Sequence, residues 1–239
     1  MSSSGSQTLI IVPTYNEIEN IRVLIPQLMA LPEQVHVLVV DDNSPDQTGA
    51  EVKKLQQAYQ TRLHLLERAG KEGLGRAYLA GFSWALRQNY SWIVEMDADF
   101  SHRPQDLQKI IQSFSQADFI VGSRYVSGGG TVNWGLLRKI ISRGGSIYSR
   151  LILGFPINDW TGGFNAWSRK ALEKMDLEEV RSNGYSFQIE LKYRASRRGF
   201  IGKEVPILFE DRRVGQSKMS FKIVLEALYK VWLMKWEIK

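Results

Sequence analysis

Four short apolar runs, each closed by polar residues, constrain this 239-residue chain more than any other feature in it. Residues 8–13 carry Leu-Ile-Ile-Val and end at Pro13, residues 35–40 are wholly apolar apart from His36, residues 63–66 form a third run, and residues 92–97 a fourth. Between them the apolar spacing predicts helices over 16–31, 49–59 and from the Gly70–Gly75 turn to about residue 89. Asn16 is the predicted N-cap of the first helix, with Glu19 three residues on as in a capping box. Strands alternating with helices in this way predict an α/β fold, a mostly parallel central sheet flanked by helices. Ligands on such sheets bind beyond the carboxyl ends of the strands. The polar clusters fall there: Tyr15 and Glu17 after the first run, Asp42 after the second, Asp97 and Asp99 after the fourth.

Asp97-Ala98-Asp99 admits two readings. Side chains i and i+2 share one face of a strand, so both carboxylates would point one way from its end. Two such groups repel unless a cation lies between them, and hard oxygen ligands favour Mg or Mn with water and substrate phosphates completing the shell. Alternatively the aspartates cap the following helix or open a turn. The Lys71-Glu72-Gly73-Leu74-Gly75 stretch lacks both the P-loop ending and the dinucleotide spacing. It is read as a tight turn, or as backbone N–H groups offered to an anion at a helix N-terminus.

Composition removes several classes. There is no cysteine, which excludes disulfides and thiolate zinc sites. Hydrophobic residues make up 44%, enough for a buried core. The formal net charge is +6, most of the cations lie beyond residue 120, and such an excess suits an anionic partner. Residues 1–7 are polar and Ser-rich, a flexible N-terminus with no signal-peptide pattern. No apolar stretch reaches the roughly 20 residues that span a bilayer.

The second half keeps the sheet. A strand is predicted over 118–122, followed by Ser123-Arg124-Tyr125, a basic helix over 133–153 carrying Arg138, helices after residue 166 and over 186–198, and one late strand over 203–209. The last 19 residues, 221–239, predict an amphipathic helix in which tryptophans stand beside lysines. This composition suits a membrane interface or packing against the domain.

Pro13-Thr14-Tyr15-Asn16-Glu17, Asp41-Asp42-Asn43-Ser44-Pro45-Asp46, Asp97-Ala98-Asp99, Gly122-Ser123-Arg124-Tyr125, Thr161-Gly162-Gly163-Phe164, and Asp211-Arg212-Arg213 with Ser217-Lys218 occur in that order. Together they resemble the polyprenol-phosphate mannosyltransferases, or dolichol-phosphate mannose synthases, of the inverting GT-A glycosyltransferase family 2. The resemblance implies a GT-A catalytic domain over residues 8–220. It implies transfer of mannose from GDP-mannose to a polyprenyl (dolichyl) monophosphate. Pro13, Tyr15, Glu17, Val40 and Asp42 would then hold the nucleoside. Asp97, Ala98 and Asp99 would flank the diphosphate, with Asp97 and Asp99 on Mg or Mn and Ser101 at the position of a third ligand. Arg124, Arg138, Arg212 and Lys218 would bind phosphates, with Asp97, Asp99, Arg212 and Lys218 forming the catalytic set. The loop 211–218 would close over both substrates. The resemblance also implies peripheral attachment to the cytoplasmic face of a membrane, with a small membrane-anchoring subunit as a further partner.

The acceptor in such a reaction is a phosphate oxygen, already anionic at neutral pH, so it needs little help from a general base. Metal and arginine reduce the repulsion between acceptor and donor and stabilise the departing nucleotide. A family 2 transferase using UDP-glucose or UDP-N-acetylglucosamine is the alternative reading. A non-catalytic nucleic-acid binder is a remote one. It leaves the carboxylates at the strand ends unexplained, so no nucleic acid is expected as a partner.

Overall fold

A computed structural model of the chain describes residues 8–211 and 221–238, with backbone only for 221–227. Seven strands form one sheet: β1 (Thr8–Thr14), β2 (His36–Asp41), β3 (Leu63–Glu67), β4 (Trp92–Glu95), β5 (Phe119–Ser123), β7 (Asn165–Ser168) and β8 (Gly202–Pro206). Their order is β3-β2-β1-β4-β7-β5-β8. All pairs are parallel except those made by β7, which runs antiparallel to both β4 and β5. Two short strands, β6 (Gly130–Val132) and β9 (Leu208–Glu210), pair separately.

The period of two in β1 builds two cores. Leu9 and Ile11 face one side, with Tyr78 and Phe82 of α3 (Leu74–Leu86) and Phe187 and Leu191 of α7 (Tyr185–Arg197). Ile10 and Val12 face the other, with Ile21, Leu24 and Ile25 of α1 (Ile18–Met29), Val52 of α2 (Thr48–Gln56) and Leu107 and Ile110 of α4 (Pro104–Gln112). All of these side chains are buried, and each full burial of this kind is worth roughly 1.5–3 kcal/mol. Helix α3 approaches the sheet closely because position 81 is glycine: a Cβ there would lie 2.7 Å from Ile11 Cγ2. The remaining helices are α5 (Leu136–Leu153), α6 (Arg169–Lys174) and α8 (Phe221–Glu237).

Strand β1 has β2 on one side and β4 on the other, so chain order reverses at β1, a topological switch point. The carboxyl ends of β1, β2 and β4 meet at one edge. Because β7 is antiparallel, it begins where the parallel strands end, and the stretch before it joins the same edge.

Several boundaries differ from expectation. Strand β4 stops at Glu95, so Asp97 and Asp99 lie beyond the ladder, although burial still alternates from Met96 to Asp99. The first helix begins after Glu17, and Asn16 has a left-handed φ of 61°. Its N-terminal donors are satisfied from a distant segment: Asn16 N–H donates to Ser44 Oγ at 3.0 Å, Glu17 N–H to Thr48 Oγ1 at 3.1 Å and Ile18 N–H to Asp46 Oδ2 at 3.1 Å. No capping box forms. Gly73 is the N-cap of α3 with φ 106°, a conformation that favours glycine, so the glycine-rich stretch is a turn into a helix. The helix expected over 133–153 starts at Leu136, and the late strand divides into β8 and β9 in separate sheets. Helix α8 packs through Val231 and Met234 while Tyr229 and Trp236 are exposed.

Candidate active site

At the β1–β2 end, two adjacent aspartates divide their tasks. Asp41 is consumed internally, accepting from Thr14 Oγ1 at 2.8 Å, Ser44 N at 2.9 Å and Ser44 Oγ at 2.6 Å. Asp42 instead accepts from Arg68 Nη1 at 2.6 Å, and Arg68 Nη2 reaches Glu72 at 2.6 Å. Burial pushes the Asp42 carboxyl up, and Arg68 opposes that shift. Tyr15 is exposed beside them, with Lys71 Nζ 3.9 Å from its ring centroid. Glu17 accepts from Asn20 at 2.6 Å. Pro13 is half-buried, whereas the Val40 side chain is wholly inside the core, so only its main chain faces this edge. Arg68 is not singled out from sequence, and Lys71 only as the first residue of the glycine-rich turn. The signal was available, since both follow the third strand at the same edge.

At the β4 end, Met96 and Ala98 are buried and Asp97 and Asp99 are half-exposed. Tyr78 donates to Asp97 Oδ1 at 3.2 Å. Burial and the Asp97 charge hold the Tyr78 phenol well above its ordinary range, so it stays a donor. Asp97 N–H donates to His102 Nδ1 at 3.0 Å. A backbone N–H can only donate, which places any proton of a neutral His102 on Nε2. The buried His102 ring stacks on Phe164 with centroids 4.6 Å apart. These contacts suit His102 to holding the aspartate loop in place.

Divalent-metal chemistry fits this donor set in kind. Asp97 and Asp99 are hard oxygen ligands, and the buried Ser101 Oγ has no hydrogen-bond partner among the described residues. No cluster of three His, Asp or Glu side chains able to hold a metal occurs among the described residues. An ion here would therefore rest on two carboxylates and draw the rest of its shell from hydroxyl, water and phosphate oxygens.

On the β5–β7 side the fold commits charge to the interior. Arg124, directly after β5, donates to Asp159 through N (2.9 Å), Nε (2.7 Å) and Nη2 (2.6 Å), and through Nη2 to Thr161 Oγ1 at 2.9 Å. Burial works against its charge, but Asp159 outweighs burial and raises the guanidinium further. Asp159 also accepts from Gly162 N at 2.9 Å. Lys192 of α7 is fully buried and donates to Trp160 O at 3.1 Å and Gly162 O at 2.7 Å. Burial lowers it to about 8. Glu95, the last residue of β4, accepts from Trp167 Nε1 and Gln188 Nε2, each at 2.6 Å, and burial raises it to about 7. Gln188 in turn accepts from Asn165 at 2.7 Å. Thus the segment 159–165 is held from beneath by a buried polar network. Arg124, expected to meet phosphate, is occupied with Asp159 in this arrangement.

Arg138 lies in the first turn of α5, over the Trp134 ring at 4.0 Å and paired with Asp211 at 2.6 Å. Phe209 stands edge-on to both Trp134 (5.3 Å) and His102 (5.4 Å), so this arginine is tied to the aspartate loop through a chain of rings. Arg212 and Lys218, and residues 212–218 of the loop expected to close, lie outside the described residues.

The family model "Glycosyl transferase family 2" matches residues 9–176. The polyprenol monophosphomannose synthase of Mycolicibacterium smegmatis is 49% identical over 226 residues, 94% of this chain and 85% of that protein. The undecaprenyl-phosphate mannosyltransferase of Micrococcus luteus is 44% identical over 225 residues, 94% and 92% of the respective chains. Among solved structures, glucosyl-3-phosphoglycerate synthase from Mycobacterium tuberculosis with phosphoglyceric acid aligns with a TM-score of 0.69 at 15% identity, covering 97% of this chain and 81% of that one. The same enzyme with Mn2+, UDP and glucosyl-3-phosphoglycerate aligns at 0.66 and 16% identity, covering 97% and 79%. At that identity the likeness shows the fold. The chain belongs to glycosyl transferase family 2.

Proposed function

We propose that this protein transfers mannose from GDP-mannose to a polyprenyl monophosphate, with inversion at the sugar carbon. The observation that carries the chemistry is the pair of half-exposed carboxylates, Asp97 and Asp99, at the switch point of a family 2 sheet. The two relatives named above supply the acceptor class and the sugar. An acceptor phosphate oxygen attacks the anomeric carbon, the bond from that carbon to the donor diphosphate breaks, and the electron pair leaves with GDP. No proton need move. That agrees with a site whose nearest histidine, His102, is spent on a backbone N–H.

Mg or Mn, when bound, supplies charge neutralisation to the donor diphosphate. Asp97 and Asp99 would hold it, with the Ser101 hydroxyl, which has no partner among the described residues, next to them. Tyr78 and His102 fix the aspartate loop from either side. Tyr15 offers a ring face for the base, and Asp42 with Arg68 offers acceptor and donor together to its edge. Arg138, projecting from the start of α5, is the cation for the acceptor phosphate, and Arg212 and Lys218 complete the phosphate contacts. Pro13, Glu17 and the main chain at Val40 and Ala98 line the donor, while Arg124 acts through its lock on Asp159.

The test uses purified protein, a short polyprenyl phosphate in detergent and Mg or Mn, with radiolabelled GDP-mannose and UDP-glucose in parallel. Label should pass into organic solvent from GDP-mannose, and both EDTA and Asp99→Ala should reduce it by at least a hundredfold. Label from UDP-glucose alone would overturn the donor and retain the reaction class.

A further inference from the structure

Strands β6 and β9 pair apart from the seven-stranded sheet, over three residues each. Two strands that short are not stable by themselves, so their place is set by what holds them. Two attachments come from the donor side. Leu208 N–H donates to Asp106 Oδ2 at 3.1 Å, and Asp106, fully buried in the first turn of α4, also accepts from Arg103 Nε at 3.1 Å and Lys109 Nζ at 2.6 Å. Phe209, the next residue of β9, sets its ring nearly perpendicular to His102, which accepts from Asp97 N–H. Two further contacts lead to the acceptor side. Phe209 lies 5.6 Å from Arg124 Cζ and stands nearly perpendicular to Trp134. The buried Trp134 ring has the Arg138 guanidinium over it at 4.0 Å and Arg124 Cζ at 5.3 Å. Trp134 Nε1 is buried with no hydrogen-bond partner among the described residues, so among them packing alone locates the indole. Asp211 fixes one edge of Arg138, and the ring fixes its face.

We infer that Phe209 is a positioning residue: through Trp134 it sets the distance between Arg138 and the Asp97–Asp99 loop, and so between acceptor phosphate and donor diphosphate. The inference rests on the reading of Arg138 as the acceptor's cation. With no proton to move, the rate of such a reaction turns on alignment. The acceptor oxygen must meet the anomeric carbon opposite the departing diphosphate, and a misplacement of about 1 Å can cost on the order of a hundredfold. The two substrates are held by different stretches of chain, and Phe209 is where the contacts from both converge. A ring suits that place. It packs with defined geometry on the rings either side of it, and it has no charge or hydrogen-bonding group to compete for phosphate. The neighbouring indole face attracts both guanidiniums, which offsets their repulsion for each other.

The experiment is a double-mutant cycle on the full chain, with Phe209→Leu, Arg138→Gln and the two combined, beside Phe209→Tyr, which keeps the ring. In the transfer assay, with whichever donor the wild type accepts, Phe209→Leu should lower kcat at least tenfold and leave the donor KM within about twofold. Phe209→Tyr should retain at least about half of the wild-type kcat. In the Arg138→Gln background Phe209→Leu should cost less than about twofold, because the group it positions is gone. A second arm needs no sugar: a short prenyl phosphate is titrated by calorimetry into protein saturated with Mn2+ and GDP. Phe209→Leu should weaken that binding about threefold and leave Mn2+–GDP binding within about twofold. Phe209→Met gives the same comparisons if the Leu variant does not fold. Equal losses with and without Arg138, loss of Mn2+–GDP binding in step with kcat, or a Tyr variant as slow as the Leu one would each overturn the inference, as would a Leu variant with wild-type kcat. Transfer from UDP-glucose alone would overturn the donor reading and leave these comparisons intact, with UDP in place of GDP. Absence of transfer from either donor would overturn the reaction reading, and the calorimetric arm then decides this one: prenyl phosphate affinity unchanged by Phe209→Leu would sink it.

Discussion

The two sides of the site are built by opposite means. On the β1–β2 side, short acceptor side chains from residues 41–48 take up the free N–H groups at the start of α1 and bind the first two strand ends together. Of the charges there, Glu72 and Lys71 are exposed, and the buried Asp42 reaches solvent through its pair with the partly covered Arg68. On the β5–β7 side the ionisable groups are inside. Arg124, Asp159, Glu95 and Lys192 are all buried, and each is satisfied by named partners. A capped loop loses one hydrogen bond at a time, whereas a buried ion left alone incurs its full desolvation penalty. The first side should therefore tolerate substitution and the second should not.

The sharpest break is Asp159→Ala. It strands the Arg124 guanidinium and frees the N–H of Gly162, and should cost about 3–5 kcal/mol in urea unfolding. A loss below 1 kcal/mol would show that water reaches Arg124 and that the interior is not as dry as its burial implies. Lys192→Met ranks next. Two carbonyls lose their donor while a costly buried charge is removed, so the net loss should be about 1–3 kcal/mol. Across the sheet, Asp46→Ala removes the acceptor for Ile18 N–H and for Thr48, and should cost about 1–2 kcal/mol. If it matched Asp159→Ala, the contrast between the two sides would fail.

A further expected effect is a dependence on pH. The Glu95 carboxyl titrates near 4.5 when unfolded and near 7 in the folded chain. Between these values the folded chain holds a proton that the unfolded chain has released. The contribution is complete below 4.5 and is lost as pH rises through 7. Unfolding midpoints should therefore fall over that interval by more in wild type than in Glu95→Gln. Equal slopes in the two proteins would place the titration elsewhere.

The β1–β2 side was legible in the sequence because its signals are local. An apolar run that stops at Pro13-Thr14-Tyr15 or at Asp41-Asp42 marks both a strand and its ligand end within a few residues. The cap of α1 was misread because its acceptors come from 28 to 31 residues further on. Strand β7 is only four residues long, and nothing in Asn165-Ala166-Trp167-Ser168 reveals that it runs against its neighbours. Lys192 and Glu95 were passed over for a different reason. A charged residue is normally a surface residue, and only the carbonyls and amides brought around these two by the fold make their burial stable. The one visible hint was a glutamate closing an otherwise apolar strand.

The antiparallel strand also sets an order of assembly during synthesis. Strands β1 to β4 and the helices joining them occupy the first 95 residues and can pair as they leave the ribosome. Yet Glu95 then waits for Trp167 and Gln188, 72 and 93 residues later, before its carboxylate has a partner. The nascent half-sheet thus carries an exposed edge at β4 and an uncompensated acid at its end. That edge is closed only when β7 arrives.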